Sequence, residues 1–344
     1  MEKVDVLIVG QGLAGSALSR ELIRTGHRIK IIDNPSGDVA SKVAGGLYNP
    51  ITGRKMVKTW MADELFYDVQ TYYDILEEEL KTRFHYPSPI YRPFFDAAEQ
   101  NDWFGKSSDP SFVDYVERVM IRSMNETDVA DEHGGLMLKR SGSVDLPIML
   151  RALKDQFVNR GIYLSELFDH KKHDHLARIY DDRIGYNKII FCEGTGVKTN
   201  PFWNELKFRP VKGEVLTLKC DYRLNFILNR GVFMIPRDGF LKVGSTYNNN
   251  DQTLTPTDRA KIEILGKLEK IYTGATEVID HQVGVRPATF DRRPFVGFHP
   301  KYTKIGIFNG FGAKGVTLVP YFAKKMALHL REYESLPLEV SISR

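Results

Sequence analysis

Asp5-Val6-Leu7-Ile8-Val9-Gly10-Gln11-Gly12-Leu13-Ala14-Gly15 decides how the rest of the chain is read. Asp5 to Val9 is an aliphatic, β-branched run, the composition of a strand buried on both faces. Gly10, Gly12 and Gly15 follow at the G-x-G-x-x-G spacing. The first makes a tight turn, the second lets backbone N–H groups approach a pyrophosphate, and the third lets helix and strand pack closely. The helix that follows carries Ala14, Ala17, Leu18 and Leu22 on one face, with Gly26 where a C-terminal cap would stand. A second strand, Ile29-Lys30-Ile31-Ile32, ends in Asp33, a carboxylate able to accept hydrogen bonds from a ribose diol. Strand, glycines, helix, strand and acid in that order predict a dinucleotide fold with phosphate charge at a helix N-terminus. The spacing alone does not separate NAD from FAD.

Composition narrows the class. The 344 residues suffice for two modest domains. Their 48 basic and 44 acidic side chains leave a net charge of +4, too mild to single out a polyanionic partner. No run approaches the roughly 18 apolar residues of a membrane helix. Met1-Glu2-Lys3-Val4-Asp5 enters a strand directly, with no basic-then-apolar leader. Cys192 and Cys220 are the whole cysteine complement, so a disulfide scaffold, structural zinc and an iron–sulfur cluster are not expected. The expectation is a soluble, cytoplasmic enzyme.

After Asp33 the chain turns at Asn34-Pro35-Ser36-Gly37 and runs through Ala40-Ser41-Lys42-Val43-Ala44-Gly45-Gly46-Leu47-Tyr48-Asn49-Pro50. An NAD domain would continue with another crossover helix; a small-residue loop suits a flat ring lying against backbone. With this loop the sequence resembles the FAD-dependent amine and amino-acid oxidases of the D-amino-acid oxidase, glycine oxidase and sarcosine oxidase family. The resemblance extends over nearly the whole chain. Gly142-Ser143-Val144-Asp145-Leu146-Pro147 is similar to the family's entry to a middle helix, here from about Ile148 to Asn159. Lys188 to Gly196 resembles its second strand-to-glycine turn, and Arg209-Pro210-Val211-Lys212-Gly213-Glu214-Val215-Leu216 its crossing into the substrate domain. Asp238 to Thr246, Val283-Gly284-Val285-Arg286-Pro287 with Asp291 to Gly297, and Asn309 to Val316 complete the order.

The fold class implied is α/β, a Rossmann-like FAD/NAD(P)-binding domain with a discontinuous second domain on a largely antiparallel sheet (α+β). Residues 1–65, 140–205 and 280–344 would form the first, and 66–139 and 206–279 the second. Tyr222 to Thr246 reads as β-prone runs broken at Asn229-Arg230-Gly231 and Arg237-Asp238-Gly239. Asp63 to Arg83 reads as helix, and Val316, Val319, Ala323, Met326, Ala327 and Leu330 recur at helical spacing from about Gly315.

The resemblance implies that FAD is held by Gly10, Gly12, Leu13, Ala14, Gly15, Asp33, Asn34, Ser41, Ala44, Gly45, Gly46 and Leu47. Phe168, Glu193, Gly194, Thr195, Gly310, Gly312, Ala313, Lys314, Gly315 and Val316 would complete the site. A helix N-terminus beside Lys314 would stabilise negative charge on reduced flavin, unless Lys314 is simply solvated.

Such oxidases move a hydride from a C–H beside an amine to flavin, and the imine then hydrolyses. The protein chiefly positions the substrate, so no strong acid–base dyad is required. Arg286 is the carboxylate anchor by chemistry and by resemblance, its guanidinium fork matching a carboxylate with two parallel bonds. Its alternative is an ion pair with Asp280 or Asp291. Lys242 resembles the lysine that promotes reaction with oxygen in the sarcosine oxidase branch; its alternative is the solvent face of a strand. Tyr48 and Tyr247 are candidate pocket residues. Arg54, Lys55 and Lys58 form a basic patch that either faces an anionic substrate or is a solvated face. His170, His173 and His175 read as an exposed hairpin tip rather than a metal site, since adjacent lysines repel a cation.

The partners expected are a small amine or amino acid and molecular oxygen or another electron acceptor, with no membrane. Gly46 to Pro50 and Gly284 to Asp291 also resemble the oxidase domain of the bifunctional enzyme that matures 5-methylaminomethyl-2-thiouridine in tRNA, implying carboxymethyl removal from a wobble uridine. Nucleic acid enters only on that alternative. A flavin- or nucleotide-binding protein without turnover is the third reading.

Overall fold

The N-terminal aliphatic run is a strand, Glu2–Val9, lying parallel to Ile29–Asp33 on one side and Ile184–Phe191 on the other. The structure is a computed structural model and describes residues 1–35, 37, 40–53, 56–222, 224–237, 239–332 and 334–344. Tyr163–Ser165 extends the sheet in parallel beyond Ile29–Asp33, and Ile305–Asn309 does so beyond Ile184–Phe191. Phe295–Phe298 adds an antiparallel edge. The strand order reverses between Glu2–Val9 and Ile184–Phe191, which opens a crevice at their carboxyl ends.

Leu13–Arg24 buries Leu13, Ala17, Leu18 and Leu22, the expected face except for half-buried Ala14. It stops at Thr25, and Gly26 follows with φ +86°, a left-handed exit that glycine adopts freely. The helix packs on Leu146–Asn159 and Gly315–Glu332. The first of these begins two residues earlier than the resemblance implied. Asp145 caps it, accepting from Ile148 N at 3.2 Å, and Pro147 suits a first turn that needs no donor. Ala62–Leu80 accounts for the helix expected at Asp63 to Arg83, ending where Lys81 turns left-handed. It packs on Gly315–Glu332, and buried Arg20 reaches its Glu79 at 2.7 Å, so it lies with the helices of the parallel sheet.

The second large sheet is Glu277–Arg286, Val211–Lys219, Phe240–Gly244, Val232–Arg237, Ile227–Arg230, Ile90–Pro93, Gly135–Leu138 and Val116–Met120 in spatial order. Only the Ile227–Arg230 and Ile90–Pro93 pair is parallel. The turn at Asn229-Arg230-Gly231 is present, with Gly231 at φ +72° between Arg230 and Val232. Asp238 of the second turn lies outside the described residues. A three-stranded sheet of Leu47–Tyr48, Gly142–Val144 and His85–Pro87 sits beside the loop that follows Asp33.

The histidine segment departs from the expectation of an exposed tip. His173–Asp174 and Ile179–Tyr180 do form a short hairpin. Yet the His170 and His173 rings pack on Phe168 and Phe191, with centroids 5.1 to 6.4 Å apart, and burial pushes the His173 imidazole down to about 4. Aromatic residues distant in sequence supply that burial. Among the described residues, no helix is long and apolar enough to cross a membrane.

Candidate active site

The carboxyl ends of the parallel strands place Gly10, Asp33, Phe168, Glu193 and Gly310 along one edge of the sheet. Gly10 has φ +101°, and a Cβ there would lie 2.6 Å from the Cys192 carbonyl oxygen. A Cβ on Gly15 would fall 1.8 Å from the Gly10 oxygen, so only glycine lets the helix come this close to the turn. Gly12 is different: a Cβ would meet nothing nearer than Ser41 Oγ at 3.9 Å, leaving an open cradle at the helix N-terminus. That terminus has no side-chain cap; Leu13 N donates to Ser41 Oγ at 3.3 Å, with Ala14 and Gly15 in the first turn beyond. Asp33 accepts from Gln11 N at 2.8 Å and from the Tyr163 hydroxyl at 3.0 Å, which fixes the carboxylate while leaving lone pairs for a diol. Asn34 follows it directly. Tyr163 was not visible as a site residue, because only strand pairing brings it beside Asp33.

The small-residue loop is wedged between sheets. Ala40–Val43 is a single helical turn lying on Gly284, where a Cβ would meet Ala40 Cα at 3.3 Å. A side chain on Gly45 would strike the Phe233 ring at 2.6 Å, and one on Gly46, at φ +70°, would lie 1.8 Å from the Val144 oxygen. Ala44 and Leu47 flank these glycines, so their backbone runs close to both the antiparallel sheet and the cofactor edge.

Three further segments reach the same edge. Glu193 accepts from Asn200 Nδ2 at 2.7 Å and lies 3.9 Å from His170 Nε2; burial pushes its carboxyl up to about 7. Gly194, at φ +59°, and Thr195 open the turn after it, and the Gly194 oxygen accepts from Asn309 Nδ2 at 2.9 Å. Phe168 spends its ring in the aromatic cluster, stacked 4.6 Å from Tyr180. Gly310 and Gly312 have φ +87° and +54°; Ala313 and Lys314 lead into Gly315–Glu332, where the Val316 oxygen accepts from the Tyr73 hydroxyl at 2.7 Å. Lys314 is half-buried and donates to Thr59 Oγ1; burial, then Arg292, lowers its pKa, which sets aside the solvated reading.

The antiparallel sheet supplies the opposite wall. Arg286 stands opposite Val211 and Lys242 opposite Thr217, so both share a face with Gly213. A Cβ on Gly213 would lie 2.1 Å from Arg286 Nη2: the guanidinium lies flat over this glycine. Nη2 donates to Ser245 Oγ at 2.6 Å and Nη1 to the Thr246 oxygen at 3.4 Å. Neither proposed ion pair forms. Asp291 holds Arg344 at 2.8 Å, and Asp280 accepts from His281 N. Among the described residues Arg286 has no carboxylate partner, and burial lowers its pKa. Lys242 is turned inward and donates to the Ala44 oxygen at 3.3 Å; burial lowers its pKa, against the pull of Asp145, so the solvent-face alternative does not hold.

One lesser expectation is corrected. Tyr48 is buried, its hydroxyl engaged with His85 Nε2 at 2.8 Å, whose Nδ1 meets Asp74 at 2.7 Å; it is a packing residue. Tyr247 is 57% exposed at the rim. Of the basic patch, Lys58 pairs with Asp63 at 2.7 Å on the surface, while Arg54 and Lys55 lie outside the described residues. Among the described residues no group of three or more His, Cys, Asp or Glu is arranged to hold a metal ion.

A glycine cradle at a helix N-terminus without a side-chain cap, an anchored acid and a small-residue loop wedged between two sheets are the features of a flavin-dependent oxidoreductase. The residues present fit FAD, since Gly12 is open where Gly10 and Gly15 are closed. The chain belongs to the FAD dependent oxidoreductase family DAO, which matches residues 5–328. Its cofactor is FAD. Glycine oxidase of Pseudomonas aeruginosa is 25% identical over 354 residues, spanning 94% of this chain and 93% of that protein. A tRNA 5-methylaminomethyl-2-thiouridine biosynthesis bifunctional protein of Azoarcus is 30% identical over 173 residues, 44% of this chain and 27% of that one. Among solved structures, glycine oxidase from Geobacillus kaustophilus superposes with a TM-score of 0.83 at 19% identity, covering 100% of this chain and 99% of that one.

Proposed function

We propose that the chain oxidises the C–N bond of a small amine or amino acid that carries a carboxylate. The observation carrying this reading is the Arg286 guanidinium, half-buried, aimed by Ser245 and Thr246, and without a carboxylate partner among the described residues. A partly desolvated guanidinium in that state offers two parallel charge-assisted bonds to a ligand carboxylate. FAD held at the Gly10–Gly15 turn and Asp33 would supply a hydride acceptor for the carbon beside the amine, and the imine product would hydrolyse in water. Arg286 orients the substrate, Gly45 and Gly46 let the loop pack tightly against Phe233 and the Val144 oxygen, and Lys242 and Lys314 supply positive charge on the cofactor side. Lys242, next to the Ala44 oxygen, is placed to favour electron transfer to oxygen or another acceptor. In this reading residues 1–65, 140–205 and 280–344 chiefly bind the cofactor, with Arg286 reaching across to the substrate, and 66–139 and 206–279 shape the substrate site, except that Ala62–Leu80 packs with the helices of the parallel sheet.

The similarity to glycine oxidase over nearly the full length supports the amino-acid reading. The partial similarity to the tRNA-modifying protein supports a second, in which the same chemistry acts on a modified wobble uridine. Anaerobic bleaching of the bound flavin separates them. Amino acids should bleach it and their decarboxylated amines should not. Equal bleaching by both sets would remove Arg286 from the reading; no bleaching by any small amine, with tRNA retained on a gel, would favour the uridine.

A further inference from the structure

Alternate residues of Val211–Lys219 face opposite ways. Gly213 faces the Arg286 guanidinium, so Lys212 and Glu214 face the side covered by Asp258–Leu268, and both are buried. A fully buried ammonium in a strand interior is costly unless paired and hydrogen-bonded. Lys212 Nζ meets Asp251 Oδ2 at 2.5 Å, Thr253 Oγ1 at 3.2 Å and the Thr255 oxygen at 2.7 Å, with Glu214 Oε1 at 3.6 Å. Its own backbone pairs both ways with Asn248, at 2.8 and 3.0 Å. Glu214 takes the far end of the same segment, accepting from Thr257 N at 2.8 Å and Thr257 Oγ1 at 2.9 Å, while its N–H donates to Thr246 Oγ1 at 2.9 Å. Two neighbouring positions of one strand therefore hold residues 246–257 along their length. That segment, with Ser245 at its start, carries the two groups that aim Arg286.

We propose that Lys212 is a positioning residue for carboxylate recognition: by tethering the 248–255 return from behind the sheet, its ammonium fixes Ser245 and Thr246 and through them the Arg286 fork. The inference rests on Arg286 being the carboxylate anchor. A shift of the return lets Thr246 and Ser245 move off the guanidinium, which then loses the flat pose over Gly213 that presents both of its N–H edges. Carboxylate affinity is the quantity that changes, because neither Lys212 nor residues 246–257 are among those assigned to the cofactor.

The test uses the FAD-loaded enzyme and the change in flavin absorbance on titration with acetate. Wild type, R286L, K212M, K212R and D251N are compared, with FAD content and the rate of reduction by dithionite measured alongside. Lys212→Met should weaken acetate binding tenfold or more and Asp251→Asn a few-fold, while Lys212→Arg recovers most of the affinity and the other two readouts stay at wild-type values. Wild-type affinity in both K212M and D251N overturns the proposal. So does loss of acetate binding in step with FAD content or the dithionite rate, which marks general disruption. If K212M does not fold, D251N decides by the same two readouts. Acetate binding that is absent in wild type, or unchanged in R286L, removes the anchor itself and is thereby distinguished from failure of the tether.

Discussion

Arg286 acquires its character from a residue that is not there. Gly213 has no side chain, and the guanidinium lies in the space a Cβ would fill. Replacing Arg286 with Leu removes two charge-assisted bonds to a substrate carboxylate, worth about 3 kcal/mol together, or roughly a hundredfold in KM with kcat changed less. Gly213→Ala should reproduce much of that effect without touching the arginine; steady-state kinetics on a carboxylate-bearing amine would show it, and an unaltered KM in both variants would end the anchor reading. Glu193 sets a pH dependence. Burial lifts its carboxyl from the ordinary 4.5 to about 7 in the FAD-free protein. Between those values the folded chain holds a proton that the unfolded chain has released, so the contribution of Glu193 to stability falls as pH rises from about 4.5 to about 7 and levels off above. The His173 imidazole, pushed down to about 4, works the opposite way over much of that range, so the decline is read as a difference: the melting temperature of the FAD-free wild type minus that of Glu193→Gln should fall across it.

At the scale of elements, the decisive contact is the approach of Leu13–Arg24 to the turn before it. A methyl on Gly15 would sit 1.8 Å from the Gly10 oxygen, so the helix would have to back away and take the phosphate cradle with it. Gly15→Ala should yield protein that purifies without its flavin spectrum and melts at lower temperature; retention of full FAD content would show that the cradle tolerates the displacement. These strands, helices and glycine turns were legible because each is a local pattern. The turn from Gly10 to Gly15 and the turn at Gly231 act within a few residues of themselves. The histidine hairpin was misread for the converse reason: Phe191 and Phe202, which bury its rings, lie beyond the segment.

For the molecule as a whole, FAD should behave as a stabilising ligand of the folded state. Adding FAD to the FAD-free protein should raise its melting temperature with concentration and restore two visible bands. A protein that stays colourless and melts unchanged would contradict the cofactor assignment. The sequence by itself determined the nucleotide-binding half: glycine spacing, the terminal acid and strand periodicity follow from backbone sterics and operate over short distances. It also marked Arg286 and Lys242 as candidates. Only the tertiary structure decided which side chains Arg286 and Lys242 face, that Tyr48 is spent on His85, and that Lys212 and Glu214 grip the segment behind the arginine. Partnership between charged groups depends on which strands come into register and what covers them. Residues 211, 246, 251 and 286 meet through sheet pairing and loop return, to which no local pattern points.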